Sequence, residues 1–233
     1  MQVTAIVVAA GEGRRMGGVL PKPYRLIAGR AMILHTLDRC FDARSVDDVI
    51  LVVAANELVR CEALLNVDPK LRRRPWRLEK GGGTRQESVL HGLKAAKAET
   101  EIVVIHDGAR PLVSPALIDR CVEAARQEGA AIAGVPARDT IKIVSGDRHV
   151  LSTPDRNTLW EIQTPQVFRK DWVMEGHERA LREGFSATDD SMLIERMGKP
   201  VFIVEGHRTN LKMTLPEDIL LAEALFQHGG GSS

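Results

Sequence analysis

The amino-acid sequence predicts an α/β domain with a mostly parallel sheet and helices on both faces of that sheet. Short, largely apolar runs recur along the chain, and such runs are typical of strands buried on both faces. Between these runs, apolar residues recur at helical spacing. Because strands that alternate with helices favour parallel pairing, the sheet is expected to be Rossmann-like.

Five apolar runs predict strands of this sheet. The first, residues 4–10, stops at Gly11, and the others cover residues 49–54, 102–105, 131–135 and 201–204. Helices are predicted where apolar residues share one face: Ile33, Leu34, Leu37 and Phe41; Val89, Leu90 and Leu93; and Leu117, Ile118, Cys121 and Val122. Further helices are predicted over residues 172–183, over residues 191–197 and from Pro216 onwards.

Residues 137–160 depart from this alternation. Here Ile141, Ile143, Val150 and Leu151 flank a turn, which is the pattern of a β-hairpin. So few apolar side chains cannot form a core of their own, so the hairpin is expected to lie on its own domain or on a second subunit. We therefore expect a single domain over residues 1–228, with residues 137–160 as an inserted hairpin arm, and a flexible tail over residues 229–233.

Composition narrows the class of protein. Of the 233 residues, 44% are hydrophobic and 27% are charged, and the net charge is +1, so no global basic field attracts nucleic acid. No apolar run approaches the ~20 residues needed to cross a bilayer, and the chain starts without a charged leader. Cys40, Cys61 and Cys121 match no CxxC pattern and are expected to be buried free thiols. A cytoplasmic protein is expected, with no membrane or nucleic-acid partner.

A glycine-rich loop, residues 11–17, follows the first predicted strand. Ligands of open α/β sheets gather at the carboxyl ends of strands, and glycines let backbone amides approach phosphate oxygens. A dinucleotide fingerprint would need glycine where Met16 stands, and no segment has the GxxxxGK(S/T) pattern of a P-loop. What remains is a glycine turn with adjacent arginines, followed by Lys22. Taken alone, this loop also fits a turn that carries only solvated charges.

Two further motifs are informative. Residues 81–89 form a second glycine-rich turn before a helix, although helix capping alone would also explain it. Asp107 ends a buried strand, where an aspartate can hold a divalent cation that bridges phosphates or can cap a turn. The preceding His106 is expected to be a structural hydrogen-bonding residue.

The loop pattern G-x-G-x-R-M-G, followed by P-K, resembles the signature of pyrophosphorylase-type nucleotidyltransferases, in which this loop wraps a nucleoside triphosphate. Together with polar clusters later in the chain, the motifs resemble the 2-C-methyl-D-erythritol 4-phosphate cytidylyltransferase family from Ala5 to about Leu225. The clusters are residues 138–140, 155–157, 163–166, 188–189 and 210–214. One departure is Pro23, where the family often has glutamine.

The resemblance implies a set of site residues. Those implied to surround the nucleotide are Ala9, Ala10, Gly11, Gly13, Gly82, Gly83 and Ser88. Those implied in catalysis are Arg15 and Lys22, which would stabilise the transition state, and Arg156 and Lys212, which would position the acceptor. Those implied near the acceptor are Arg110, Thr140, Thr164 and Thr188. Asp107 would coordinate magnesium or another divalent cation, and the hairpin would be the arm of a homodimer.

The expected reaction joins CTP to a small sugar-alcohol phosphate and releases pyrophosphate. A phosphate monoester is already a nucleophile at neutral pH, so catalysis would consist of positioning and charge neutralisation. The resemblance favours 2-C-methyl-D-erythritol 4-phosphate as the acceptor. Two alternatives stay open: ribitol 5-phosphate as the acceptor, and a nucleotide-binding module without turnover, against which the cations at Arg15, Lys22 and Lys212 argue.

Overall fold

The computed structural model describes residues 1–11 and 20–227, in which strands and helices alternate. The strands are β1 (Gln2–Ala9), β2 (Leu26–Ile27), β3 (Arg30–Ala31), β4 (Asp48–Val53), β5 (Trp76–Lys80), β6 (Thr100–Asp107), β7 (Ala130–Pro136), β8 (Ile143–Val144), β9 (Val150–Ser152), β10 (Trp160–Arg169) and β11 (Phe202–Glu205). The helices are α1 (Met32–Asp42), α2 (Leu58–Val67), α3 (Arg85–Ala95), α4 (Pro115–Glu128), α5 (Lys170–Glu183), α6 (Ser191–Arg196) and α7 (Pro216–Gln227).

The central sheet is mostly parallel, as predicted. Its strand order among the described residues is β11-β7-β10-β6-β1-β4-β5, and only β10 runs antiparallel to its neighbours β6 and β7. The chain leaves β1 for β4 and β5 on one side and then returns to β6 on the other side. Such a change of direction opens a crevice at the carboxyl ends of the strands. In this fold the crevice lies at β1 and β6.

Side chains from the central strands pack alternately into two cores. On β1, Ala5 and Val7 pack on the face that carries α1 and α4, whereas Ile6 packs on the face that carries α3 and α5. All three side chains are fully buried. Since both faces of the strand are covered, the continuous apolar run is required here, and the Rossmann-like prediction is confirmed.

Two sheet strands were missed by sequence analysis. The strand β5 is only half-buried and carries charged residues, so it lacks an apolar run. The strand β10 includes Gln163, Thr164 and Gln166, which are polar although all three are buried. Its pairing with β7 shifts between Ile162 and Gln166, and such an irregularity redirects side chains.

The hairpin within residues 137–160 is present as β8 and β9, which pair antiparallel. Its apolar side chains do not pack on the chain's own core: Ile141, Ile143, Val150 and Leu151 are between 42% and 65% exposed. The predicted tail, residues 229–233, lies outside the described residues.

The three cysteines are buried and unpaired, as predicted. Burial raises the pKa of the Cys40 and Cys121 thiols to about 12 and that of Cys61 to about 11. No helix within residues 1–11 and 20–227 has both the length and the apolar character needed to span a membrane.

Candidate active site

A cavity of about 1080 Å³ opens at the carboxyl ends of β1, β4, β5 and β6. A cavity of this size accommodates a small-molecule ligand. Its wall is formed mainly by the last residues of these strands and those that follow them, by the start of α3, and by Lys22 and Lys212. The lining residues are Val8, Ala9, Ala10, Gly11, Lys22, Pro23, Met32, Ala54, Ala55, Asn56, Lys80, Gly81, Gly82, Gly83, Thr84, Arg85, Ser88, His91, Asp107, Gly108, Ala109 and Lys212.

The loop that follows β6 touches the end of β1 at the wall of the cavity. The amide of Gly108 donates a hydrogen bond to the carbonyl oxygen of Val8 at 2.9 Å. A Cβ atom at Gly108 would lie 3.0 Å from the Cβ of Ala9, so this close approach favours glycine. Gly13 and Arg15 lie outside the described residues, and the roles implied for them stay predictions.

Lys22 lies at the cavity wall in a short, anchored turn. It begins a single 3-10 turn, Lys22–Tyr24, in which the amide of Tyr24 donates to the carbonyl oxygen of Pro21 at 3.0 Å. The Tyr24 side chain is buried, which fixes the turn to the protein. The Lys22 residue itself is half-buried and lines the cavity. Its position is therefore determined by the packing of the residue two positions later.

The second glycine-rich turn is held by the start of α3. Thr84 and Glu87 form a capping box, in which each side chain accepts a hydrogen bond from the backbone of the other. The Gly83 amide also donates to Glu87 at 2.7 Å, and the Gly82 amide donates to the Ser88 hydroxyl at 3.1 Å. The amides of both glycines thus donate hydrogen bonds to side chains in the first turn of α3, while the glycines themselves line the cavity.

Asp107 is a carboxylate of the cavity wall that is paired with two cations. Lys212 Nζ lies 2.7 Å from its Oδ2, and Arg85 Nε lies 3.3 Å from its Oδ1. Burial would raise the pKa of Asp107, but the charges of Arg85 and Lys212 outweigh burial and hold this pKa well below its usual range. Asp107 is consequently an anion at any physiological pH.

Thr164 and His106 fix Asp107 from behind. The backbone amide of Asp107 donates to the Thr164 hydroxyl at 3.1 Å, and this hydroxyl also pairs with His106 Nδ1 at 3.0 Å. His106 Nε2 lies 3.2 Å from the carbonyl oxygen of Arg110. Burial lowers the pKa of His106 to about 4, so its ring is neutral. These contacts agree with the structural role expected for His106.

Arg110 and Asn210 join the loop of Lys212 to the end of β6. Arg110 Nη1 donates to the carbonyl oxygen of Asn210 at 2.7 Å, and Asn210 Nδ2 donates to the carbonyl oxygen of Thr164 at 2.9 Å. The amide of Met213 donates to the carbonyl oxygen of Ala109 at 2.8 Å. These bonds place Lys212 beside Asp107, although the two residues come from distant parts of the chain.

Comparison with known proteins assigns this architecture to a family. A model of the 2-C-methyl-D-erythritol 4-phosphate cytidylyltransferase family matches residues 3–228, which is nearly the whole chain. The chain belongs to this family. The resemblance seen in the sequence is thereby confirmed.

Relatives of the cytidylyltransferase family are similar over their full length. The protein of this name from Caldanaerobacter subterraneus subsp. tengcongensis is 44% identical over 228 residues, covering 97% of this chain and 100% of the relative. That from Syntrophotalea carbinolica is 44% identical over 232 residues, covering 99% and 98%. The crystal structure of 4-diphosphocytidyl-2C-methyl-D-erythritol synthase from Anaerococcus prevotii has a TM-score of 0.87 at 34% identity, covering 97% of this chain and 96% of that one.

The structure brings together most of the residues that the resemblance to the cytidylyltransferase family implied, but not all. The predicted residues that line the cavity are Ala9, Ala10, Gly11, Lys22, Gly82, Gly83, Ser88, Asp107 and Lys212. Arg110 and Thr164 are buried behind Asp107. Thr164 accepts a hydrogen bond from the Asp107 amide, and Arg110 donates one to the carbonyl oxygen of Asn210. Thr140, Arg156 and Thr188 are exposed and do not line the cavity, and the first two lie within the hairpin arm.

Arg85 was not singled out in the sequence, yet it lines the cavity and contacts Asp107. A local signal for its placement existed. Thr84 and Glu87 have the spacing of a capping box, which makes Arg85 the first residue of a helix that follows a glycine turn. The other partner of Arg85 is Asp190, at 2.7 Å, and no local pattern indicates that contact.

Proposed function

We propose that this protein transfers the cytidylyl group of CTP to 2-C-methyl-D-erythritol 4-phosphate, giving 4-diphosphocytidyl-2-C-methyl-D-erythritol and pyrophosphate. Membership of the cytidylyltransferase family supports this proposal, as do the names of its relatives. The observation that carries it is the meeting of Lys22, Lys212 and Asp107 at one cavity, which Gly11 also lines.

The proposed step is a direct in-line displacement. An oxygen of the acceptor's phosphate forms a bond to the α-phosphorus of CTP, and the bond from that phosphorus to the oxygen bridging to the β-phosphorus breaks. Negative charge develops on the α-phosphate oxygens and on the departing pyrophosphate. Fixed cations stabilise that charge without reorganising, and Lys22 is proposed to act there together with Arg15.

A divalent cation, Mg²⁺ or another, is proposed to be held by Asp107 with the phosphates of CTP. Asp107 is the one carboxylate among the described residues that line the cavity. No group of three potential metal-ligating side chains occurs within residues 1–11 and 20–227. Mg²⁺ fits such a site, because it commonly takes one or two carboxylates and completes its shell with substrate phosphates and water. When bound, it would neutralise phosphate charge.

The acceptor is proposed to lie on the β6 side of the cavity. Lys212 is 42% exposed at its side chain and is held by the network of Arg110, Asn210 and Thr164. An ammonium group in this place can receive the acceptor's phosphate. Thr188 is exposed close to Asp190 in sequence and is proposed to contact the acceptor from the edge.

A homodimer is proposed to complete the acceptor site. The arm carries Arg156 and Thr140 away from the cavity of its own chain, and Arg156 Nη1 donates to the carbonyl oxygen of Arg138 at 2.9 Å. The exposed Val150 and Leu151 side chains need a covering surface. A two-fold exchange of arms covers them and delivers Arg156 to the neighbouring cavity. The enzyme is proposed to work in the cytoplasm, which its unpaired cysteines support.

Pyrophosphate release tests the proposal. The purified protein is supplied with each of CTP, UTP, ATP and GTP, and with 2-C-methyl-D-erythritol 4-phosphate or ribitol 5-phosphate, in the presence of Mg²⁺. We expect rapid release only with CTP and 2-C-methyl-D-erythritol 4-phosphate, and mass spectrometry should detect the diphosphocytidyl product. Higher kcat/KM with ribitol 5-phosphate would favour that acceptor, and tight CTP binding without release under any condition would favour a module without turnover.

A further inference from the structure

A buried ion network lies behind the wall of the cavity, at the start of α6. Asp190 has a side chain that is only 1% exposed, and its Oδ2 lies 2.7 Å from Arg85 Nη1. Its other oxygen, Oδ1, lies 3.1 Å from Nε2 of His177, a side chain that is fully buried. Burying charges in this way is costly, and the cost is offset only by close pairing and further hydrogen bonds.

Asp190 is itself held rigidly. The side-chain oxygen Oε1 of Gln166 accepts hydrogen bonds from the backbone amides of Asp190 and Ser191, at 3.1 Å and 3.3 Å. Because Gln166 belongs to a central strand of the sheet, the carboxylate of Asp190 has a fixed position relative to the carboxyl end of β6. The contact of His177 with Oδ1 then determines how the Asp190 carboxylate is rotated.

The Arg85 guanidinium is clamped between two carboxylates from different elements. Its Nε contacts Asp107 at 3.3 Å, and its Nη1 contacts Asp190 at 2.7 Å. Burial would lower the pKa of Arg85, but the charges of Asp190 and Asp107 outweigh burial and raise this pKa. Nη2 makes no hydrogen bond with any residue in the described ranges, while the side chain is 30% exposed and lines the cavity. The N–H groups of Nη2 thus have no partner among the described residues and face a cavity where a ligand can bind.

We propose that Asp190 is a positioning residue of the transfer reaction, which holds Arg85 so that its remaining N–H groups meet the triphosphate of CTP. This inference rests on the proposed function and deepens it. Arg85 would bind the phosphates directly, whereas Asp190 and His177 act only through Arg85. The guanidinium is suited to this task, because its planar fork matches phosphate oxygens.

Loss of the Asp190 charge has two opposite expected effects on CTP binding. Removing the negative charge of Asp190 makes the cavity more positive, so electrostatics alone would strengthen the binding of an anionic nucleotide. Without Asp190, however, Arg85 is free to turn and form a bidentate pair with Asp107, in which Nε and Nη2 both face the carboxylate. That pair would remove the donor from the phosphates and occupy Asp107. If Asp190 acts by positioning Arg85, its removal should weaken CTP binding. If Asp190 acts only through its charge, its removal should tighten CTP binding.

The experiment is a double-mutant cycle between Asp190→Asn and Arg85→Gln. Four proteins, including the wild type and the double variant, are titrated with CTP by calorimetry, their kcat and KM are measured by pyrophosphate release, and their Tm is recorded. The matched control is Asp189→Asn, since Asp189 bonds to Gln166, Ser191 and the amide of Met192 but not to Arg85. Outer residues that orient a functional group typically contribute about 10–100-fold to activity or affinity.

We expect Asp190→Asn to weaken CTP binding and to lower kcat/KM about tenfold. In the Arg85→Gln background the same change should cause no further loss of CTP affinity or of kcat/KM. Asp189→Asn should lower Tm while CTP affinity stays near that of the wild type. If Asp190→Asn does not fold, Asp190→Glu replaces it in the cycle, because it keeps the charge but displaces the carboxylate by one methylene group.

Three results would overturn the inference. They are tighter or unchanged CTP binding in the Asp190 variant, effects that add fully in the double variant, and a loss of affinity as large in Asp189→Asn. A wild type that binds CTP but releases no pyrophosphate with any acceptor would instead refute the proposed function. The CTP titrations would still decide whether Asp190 positions Arg85, so the two failures are distinguishable.

Discussion

Lys212 Nζ lies 2.7 Å from Asp107 Oδ2, so a cation from the loop after β11 is held against the anion at the end of β6. This ion pair spans the two halves of the proposed reaction. Asp107 is proposed to serve the nucleotide, and Lys212 the acceptor. The backbone hydrogen bond from the Met213 amide to the Ala109 carbonyl oxygen holds the loop of Lys212 against the loop that follows Asp107.

Replacing Lys212 by alanine should impair use of the acceptor more than binding of CTP. We expect kcat/KM for the acceptor to fall by roughly 100-fold, because the variant lacks a fixed cation that stabilises the negative charge developing during transfer. CTP affinity should change much less, since Arg85 remains as a partner of the Asp107 carboxylate. Steady-state kinetics with each substrate varied in turn, together with CTP calorimetry, measure this. Lys70→Ala is the control, since the Lys70 side chain is 72% exposed, pairs with Asp38 and does not line the cavity. An equal loss in both variants would contradict the role of Lys212.

Replacing Lys22 by alanine should affect catalysis more than binding. We expect kcat to fall by roughly two orders of magnitude while the Kd for CTP rises only modestly, because a cation near the α-phosphate matters most when charge develops there. Lys22→Arg should rescue only in part, since a planar fork does not replace a compact ammonium group in a tight turn. Single-turnover kinetics and CTP titration make the measurement. A normal kcat with a raised KM would show that Lys22 acts in ground-state binding instead.

Deleting the arm should disrupt assembly and transfer together. We expect a protein in which a short Gly-Ser link replaces residues 138–155 to be a monomer in sedimentation equilibrium. It should retain CTP affinity, because the glycine-rich turns are untouched, and should lose most transfer activity. The reason is that exposed apolar residues of the arm need a partner surface. A deletion protein that stays dimeric would refute the role of the arm in assembly.

Subunit mixing tests whether Arg156 acts in the neighbouring cavity. Arg156→Ala and Lys22→Ala should each be nearly inactive. When the two variants are mixed and allowed to exchange subunits, each mixed dimer should regain one intact site, which combines Lys22 of one chain with Arg156 of the other. Each variant taken through the same exchange alone is the control. A mixture with no more activity than its components would show that Arg156 does not act across the interface.

The three thiols should be inert in the folded protein. Burial raises the pKa of Cys40 and Cys121 to about 12 and of Cys61 to about 11, so almost no thiolate forms at pH 8. Titration with Ellman's reagent should detect less than one thiol in buffer on the time scale of minutes and three thiols in guanidinium chloride. Rapid reaction of a thiol in buffer would show that one of the buried segments opens readily.

The sequence by itself determined the layered α/β plan and the position of the site. The first strand and its neighbours are continuous apolar runs because both of their faces are covered, and that requirement is visible in a few consecutive residues. Glycine turns and Asp107 follow such strands, so their meeting at one edge of the sheet could be predicted. The roles of individual residues came from family resemblance.

Only the tertiary structure decided which charges face each other. Gln163, Thr164 and Gln166 lie in a buried strand whose polar groups are satisfied by partners far away in the chain, so no local pattern indicated β10. Arg85 and Asp190 are 105 positions apart, and their contact depends on how α3 and α6 pack on the sheet. A sequence pattern reports a residue's own periodicity and burial. The partner of a buried charge depends on the packing of separate elements, which no single segment of the sequence contains.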